Sequence, residues 1–159
     1  KKNKVSFADA SKKLPLKANT VECIYTSHML EHLSRDGAYN FLNEAIRVLS
    51  KDGVLRVAVP DLKLAVNSYT ASGDADVFMT KLFVQAPSIS KFREKIQLFL
   101  SGYRHHQWMY DGNSLSKLMQ KCGFRNVSIC SEGKTLISDP GKLNLYERIE
   151  DSVYVEGIK

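Results

Sequence analysis

Cysteine is scarce here: Cys23, Cys122 and Cys130 are the three in 159 residues. Odd in number, widely spaced and in apolar surroundings, they exclude a disulfide-stapled secreted scaffold and offer no paired-cysteine zinc site. Reduced thiols in a cytoplasmic protein are expected. No apolar run is long enough to span a bilayer and no secretion signal is present, so no membrane partner is expected. A continuous basic face is missing too. The 23 basic and 17 acidic residues leave a net charge of +6, but apart from Lys1, Lys2, Lys4, Lys12 and Lys13 the positive charges are scattered among acids. Phosphate binding wants a contiguous patch, so nucleic acid is not the expected partner. A starting Met is also lacking, and Lys1-Lys2-Asn3-Lys4 runs straight into a strand-like Val5–Ala8. A start inside a fold is the expectation.

What is present reads as one domain over 1–159, with 43% hydrophobic and 25% charged residues. Folding at this length buries about 70% of the unfolded chain's surface, enough for a single core. Val5–Ala8 reads as a strand ending at Asp9, and Pro15 prevents a long helix in the stretch that follows. Val21–Thr26 is short, β-branched and apolar, the pattern of a buried parallel strand. From Ala38 to Leu49 the residues Phe41, Leu42, Ala45, Ile46 and Leu49 recur at helical spacing, with Lys51-Asp52-Gly53 as the stop. Val54–Val59 is then a second strand, which completes a right-handed βαβ unit. A helical insertion is predicted over about 62–103, with stretches at Leu62–Tyr69, Val77–Phe83 and Ile89–Leu100. Tyr39, Tyr69 and the stripe Phe92, Ile96, Phe99 and Leu100 read as core or packing residues. A further helix is predicted over Asn113–Lys121, capped by Asn113 or Ser114, followed by strands at Val127–Cys130 and Ser152–Gly157. The class is α/β.

Three motifs follow in order. Tyr25-Thr26-Ser27-His28-Met29-Leu30-Glu31-His32-Leu33 closes a strand, Arg47-Val48-Leu49-Ser50-Lys51-Asp52-Gly53 closes a helix, and Val59-Pro60-Asp61 closes the next strand. Upstream, Asp9-Ala10 precedes Leu14-Pro15-Leu16. Together these resemble the half of a class I S-adenosylmethionine-dependent methyltransferase, of the type 11 kind, that follows the glycine-rich cofactor loop. His105–Asp111, Cys122-Gly123-Phe124 and Ser152–Glu156 further resemble a bacterial subgroup associated with cell-surface polysaccharides. The resemblance implies a Rossmann-like methyltransferase fold truncated at its N-terminus, with a mostly parallel sheet, an antiparallel last strand and a helical insertion. It implies S-adenosylmethionine as cofactor and a small-molecule or saccharide acceptor, methylated on oxygen or nitrogen. Asp9 would accept from the adenine amino group and Ala10 would offer its amide, while Thr26, Ser27 and His28 would line the sulfonium side. The glycine-rich turn has no counterpart: Gly73 and Gly133 each stand alone and neither follows a strand into a helix. Weak cofactor binding by this chain is therefore expected, together with self-association or pairing with an N-terminal half.

Several residues carry competing readings. Asp9, taken alone, is an ordinary turn or helix cap. His28-Met29-Leu30-Glu31-His32 spells the H-x-x-E-H pattern of one zinc hydrolase class, but that pattern needs a proper helix and a distant third ligand. No metal site is expected, and His32 reads as a packed, hydrogen-bonded histidine. In His105-His106-Gln107-Trp108-Met109-Tyr110-Asp111, His106 or Tyr110 could serve as base over a Trp108 floor; equally, Trp108 could pack on the sheet while Asp111 caps the next helix. The catalytic candidates are His28, His106 and Tyr110. A non-catalytic binding or assembly module of the same fold is the reading from another functional class.

Overall fold

The computed structural model describes residues 7–83 and 105–159. Its elements are β1 (Val21–Ser27), α1 (Arg35–Val48), β2 (Leu49–Pro60), α2 (Leu62–Ser72), α3 (Ala75–Leu82), α4 (Gly112–Lys121), β3 (Arg125–Cys130) and β4 (Ser152–Ile158), with a short 3-10 turn at Leu30–His32. Phe7 and Ala8 carry no strand, and the rest of the strand expected at Val5–Ala8 lies outside the described residues. So does the helical stretch at Ile89–Leu100 with its Phe92, Ile96, Phe99 and Leu100 stripe.

The sheet order is β1-β2-β4-β3. β1 and β2 pair in parallel, as the βαβ reading requires, whereas β4 is antiparallel to both β2 and β3. The expectation of a mostly parallel sheet is thus corrected. β1, β2 and β3 share a direction, but the reversed β4 sits between β2 and β3 and makes two of the three ladders antiparallel.

Side-chain alternation sorts the two faces of the central pair. Leu55, Val57 and Val59 on β2 and Val153 and Val155 on β4 join one buried cluster with Ala38, Phe41, Leu42 and Ala45 of α1 and Leu115, Leu118 and Met119 of α4. Both helices therefore cover that face. The other face carries Arg56 opposite Glu156, both fully buried. Tyr39 and Tyr69 are more exposed than a core reading allows; Tyr69 packs on Phe78 with ring centroids 5.0 Å apart.

Helix α1 starts where Ser34 accepts from the Gly37 amide, and it ends at Val48 rather than running through Leu49. Leu49 already pairs with Val21, and Ser50–Gly53 form an excursion before Cys23 pairs with Val54. In that excursion Asp52 takes the left-handed backbone, φ 62°. Gly53 is needed for space instead: a Cβ there would lie 3.0 Å from the Ser50 carbonyl and 3.1 Å from that of Glu22. Helix α2 stops at Gly73, φ 68°. Helix α4 is capped by Asp111 in a reciprocal box with Ser114, which is the capping reading of Asp111 and not the cap at Asn113 or Ser114.

Candidate functional site

The parallel pair aims its carboxyl ends at one spot. β1 ends at Ser27, and His28 follows with a left-handed φ of 49° while its amide donates to the Ala58 carbonyl of β2 at 2.9 Å. This conformation is costly for a residue with a Cβ and recurs at functional sites. The next residues wind into the 3-10 turn at Leu30–His32, which brings the Glu31 carboxylate to 3.5 Å from the His28 ring.

A second segment closes on this turn. The amides of Gln107 and Trp108 both donate to the Glu31 carbonyl, at 2.8 and 3.2 Å, and the Gln107 Nε2 donates to the His32 carbonyl at 2.7 Å. His106 is held in turn by α3, its amide donating to the Phe83 carbonyl at 3.0 Å. Two loops 75 positions apart are thereby clamped through their backbones.

At their junction three imidazoles surround one carboxylate. Glu31 Oε1 lies 3.5 Å from His28 Nδ1, 3.8 Å from His32 Nε2 and 3.9 Å from His106 Nε2. The Glu31 side chain is 1% exposed, and neither of its oxygens has a hydrogen-bond partner among the described residues. An isolated buried carboxylate is expensive, so this one calls for a positive partner, a protonated ring or an ion. Burial pushes the pKa of His106 down; Glu31 works against that, whereas His32 and His28 add to it.

This cluster lines a cavity of about 760 Å³ that also includes Asp61, Lys81, Phe83 and Arg148 in its wall. Phe83 and Arg148 share the left-handed backbone of His28, with φ 51° and 48°. Arg148 Nη1 stands 3.5 Å from His28 Nδ1, while His28 Nε2 is 2.9 Å from the Ser152 hydroxyl. Lys81 and Asp151 pair at 3.6 Å in the same wall.

Of the residues singled out in the sequence, His28 and His106 meet in this cluster and line the cavity. Tyr110 does not line it. It is fully buried in the core, its backbone bridged to Asp61, and burial first pushes its pKa up. Trp108 is not a cavity floor either: it is 45% exposed and lies under the Arg35 guanidinium at 4.5 Å. Asp9 holds a turn, accepting from the Ser11 amide and hydroxyl at 3.0 and 2.7 Å; these bonds lead in lowering its pKa. Ala10 packs against the core, and Thr26 is buried with no partner for its hydroxyl among the described residues. Asp9, Ala10, Thr26 and Ser27 stand outside the cavity wall.

Sequence reasoning missed Glu31 as the centre, and missed Arg148 and Lys81 altogether. The three-residue step from His28 to Glu31 was the available signal for the first; nothing in the sequence marks the other two.

Residues 1–57 match the methyltransferase-domain family. None of the curated proteins compared with the chain matches it. Among solved structures, a SAM-dependent methyltransferase from Archaeoglobus fulgidus aligns over 99% of this chain and 68% of its own, at 14% identity and TM-score 0.57. Another from Thermotoga maritima aligns over 96% and 62%, at 20% identity and TM-score 0.53. The methyltransferase in a complex with the Trm112 activator of Haloferax volcanii aligns over 95% and 58%, at 11% identity and TM-score 0.52. The chain therefore has the α/β fold of SAM-dependent methyltransferases and spans about three-fifths to two-thirds of the length of these three. Among the described residues, no helix is long and apolar enough to cross a membrane.

Proposed function

We propose that this chain carries the acceptor side of an S-adenosylmethionine-dependent methyltransferase, and that the cavity beyond β1 and β2 receives a small-molecule or saccharide acceptor. The observation that carries the reading is the position of that cavity: His28, Pro60 and Asp61, at the carboxyl ends of the parallel pair, all line it. Open α/β sheets bind their ligands at this end.

The bound cofactor would supply a methyl group already activated on a sulfonium, so the protein's task is positioning. The orphaned, buried Thr26 hydroxyl fits such a ligand, because a buried polar atom without a partner calls for one. Asp9 has Oδ1 committed to Ser11, but among the described residues Oδ2 meets only Lys12 at 3.4 Å, which leaves it able to accept from an adenine amino group. Ala10 and Ser27 would complete that flank.

For a hydroxyl acceptor, His28 is the base. With Nε2–H donating to Ser152, its Nδ1 lone pair accepts from Arg148 at 3.5 Å beside Glu31, and Arg148 must give way for the acceptor hydroxyl to take that place. Taking a proton there places an imidazolium 3.5 Å from the Glu31 carboxylate, which stabilises it. An amine acceptor would need positioning alone.

β1 is an edge strand among the described residues. That free ladder is where self-association, or a further strand, would add. Sedimentation over a range of concentrations reads this directly.

Photolabelling with methyl-labelled S-adenosylmethionine tests the assignment. Label in the peptide containing Thr26, Ser27 and His28 is expected; label confined to β3 and β4 would overturn it.

A further inference from the structure

We propose that Glu31, His32 and His106 form a three-ligand site for a divalent metal ion of the zinc type, open on its fourth side to the cavity. The donor atoms, one from each residue, all lie within 4.8 Å of one another. Two imidazole nitrogens with one carboxylate oxygen are a donor set that suits zinc, and three protein ligands with an open position mark its reactive sites.

The tautomers are set for ligation. His32 Nδ1 is 3.2 Å from the His105 carbonyl and His106 Nδ1 is 2.8 Å from that of Leu82. A carbonyl only accepts, so each Nδ1 must carry a proton, and in the neutral ring each Nε2 is left with a bare lone pair. Both of those nitrogens face the same Glu31 oxygen, at 3.8 and 3.9 Å. Lone pairs and a carboxylate converging on one point repel unless something positive stands between them. The backbone carbonyls behind the two rings do what outer partners of metal-bound histidines do, fixing tautomer and ring orientation.

The unpaired Glu31 oxygens are the independent observation. This carboxylate is 1% exposed and finds no hydrogen-bond donor among the described residues, although it lines the cavity. A tetrahedral ion about 2.0 to 2.2 Å from each donor would hold the donors about 3.4 Å apart. The two spacings from Glu31, 3.8 and 3.9 Å, need to close by about half an ångström, and that between the two rings, at most 4.8 Å, by up to about 1.4 Å, which rotation of the part-exposed His32 side chain can supply.

This site is not the H-x-x-E-H arrangement weighed from the sequence. His28 stays with Ser152, and the third ligand is His106, brought in from the second loop. On the methyl-transfer reading, an ion here would draw in an acceptor oxygen and lower its pKa, handing His28 an easier proton. That role depends on the methyl-transfer reading; metal binding itself does not.

The test uses the tag-free 159-residue chain with zinc alone, in the absence of cofactor and acceptor. Calorimetry is expected to give one equivalent, and His106→Ala and His32→Ala should each weaken binding at least tenfold. Cobalt in place of zinc should give the strong visible bands of a low-coordinate site, absent in both variants. His32 is part-exposed and its variant keeps the fold readable by circular dichroism if His106→Ala does not fold. No stoichiometric binding, or binding indifferent to both substitutions as capture by the cysteines would be, overturns the site. Methyl transfer without zinc binding would sink this inference and spare the proposed function; the converse result would do the opposite.

Discussion

Arg56 and Glu156 face each other across β2 and β4 with their side chains fully buried and Arg56 Nη1 donating to Glu156 Oε1 at 2.7 Å. Arg56 also donates to the Lys134 and Leu145 carbonyls, while Thr135 and the Leu136 amide donate to Glu156. The pair thus ties the segment after β3 to the sheet. Removing one partner strands a buried charge, and Glu156→Ala is expected to cost about 3 to 5 kcal/mol. Arg56→Met with Glu156→Leu should recover much of that loss. Urea unfolding checks both, and equal destabilisation by the single and double variants would refute the reading.

His28 combines a left-handed backbone with two ring contacts, so the substitution must separate strain from chemistry. Asn tolerates that backbone better than most residues with a Cβ. His28→Asn is expected to keep the melting temperature near that of the parent and to lower S-adenosylhomocysteine formation at least tenfold with a hydroxyl acceptor. Unchanged turnover would remove His28 from the site.

Glu44 and Arg47 on α1 tether the stretch that follows Asp9. Glu44 accepts from the Leu14 amide at 2.8 Å, and Arg47 donates to the carbonyls of Leu14 and Leu16 at 3.1 and 3.0 Å. The hydrogen bond from Arg47, ahead of that from Leu14, brings the Glu44 pKa down from 4.5 to about 2. Because the folded pKa is below the unfolded one, the unfolded state binds more protons between these values. Stability is therefore fully present above pH 4.5 and is lost as pH falls towards about 2. Glu44→Gln should flatten that part of the acid-unfolding curve. An unaltered slope would show that other carboxylates carry it.

His106 works in the same sense at higher pH. Burial lowers its pKa from 6.5, so folding favours the neutral ring, and below pH 6.5 the unfolded state again binds the extra proton. Its contribution to stability is intact above that value and falls as the solution is acidified through it. His106→Gln should reduce the loss of melting temperature between about pH 7 and pH 5. A larger loss in the variant would contradict the assignment.

Much of this was legible where local pattern decides structure. Phe41, Leu42 and Ala45 at helical spacing announced α1, and the apolar runs on either side of it announced β1 and β2. Arg56 and Glu156 lie within strands read from the sequence, but no local pattern pairs them; only the register of β2 on β4 brings their charges together. The antiparallel last strand is as the resemblance implied, but the mostly parallel sheet is not: no local signal tells β3 that the reversed strand will lie between it and β2. His28 was found from its place at a strand end. That it shares Glu31 with His106 depends on backbone bonds between two distant loops, which no spacing rule predicts.

Methyl transfer from S-adenosylmethionine at the ends of β1 and β2 is the central claim, and hydrogen exchange with and without the cofactor tests it most directly. No glycine-rich turn at a helix N-terminus is found in this sequence. Forgoing about three such hydrogen bonds, at about 1 to 1.5 kcal/mol each, moves a micromolar site towards the millimolar range, so the cofactor must be supplied at millimolar concentration. Slower exchange is predicted at Asp9–Ala10 and over Thr26–Glu31, with β3 unaffected. Exchange unchanged in both stretches, or slowed only in β3 and β4, would contradict the account.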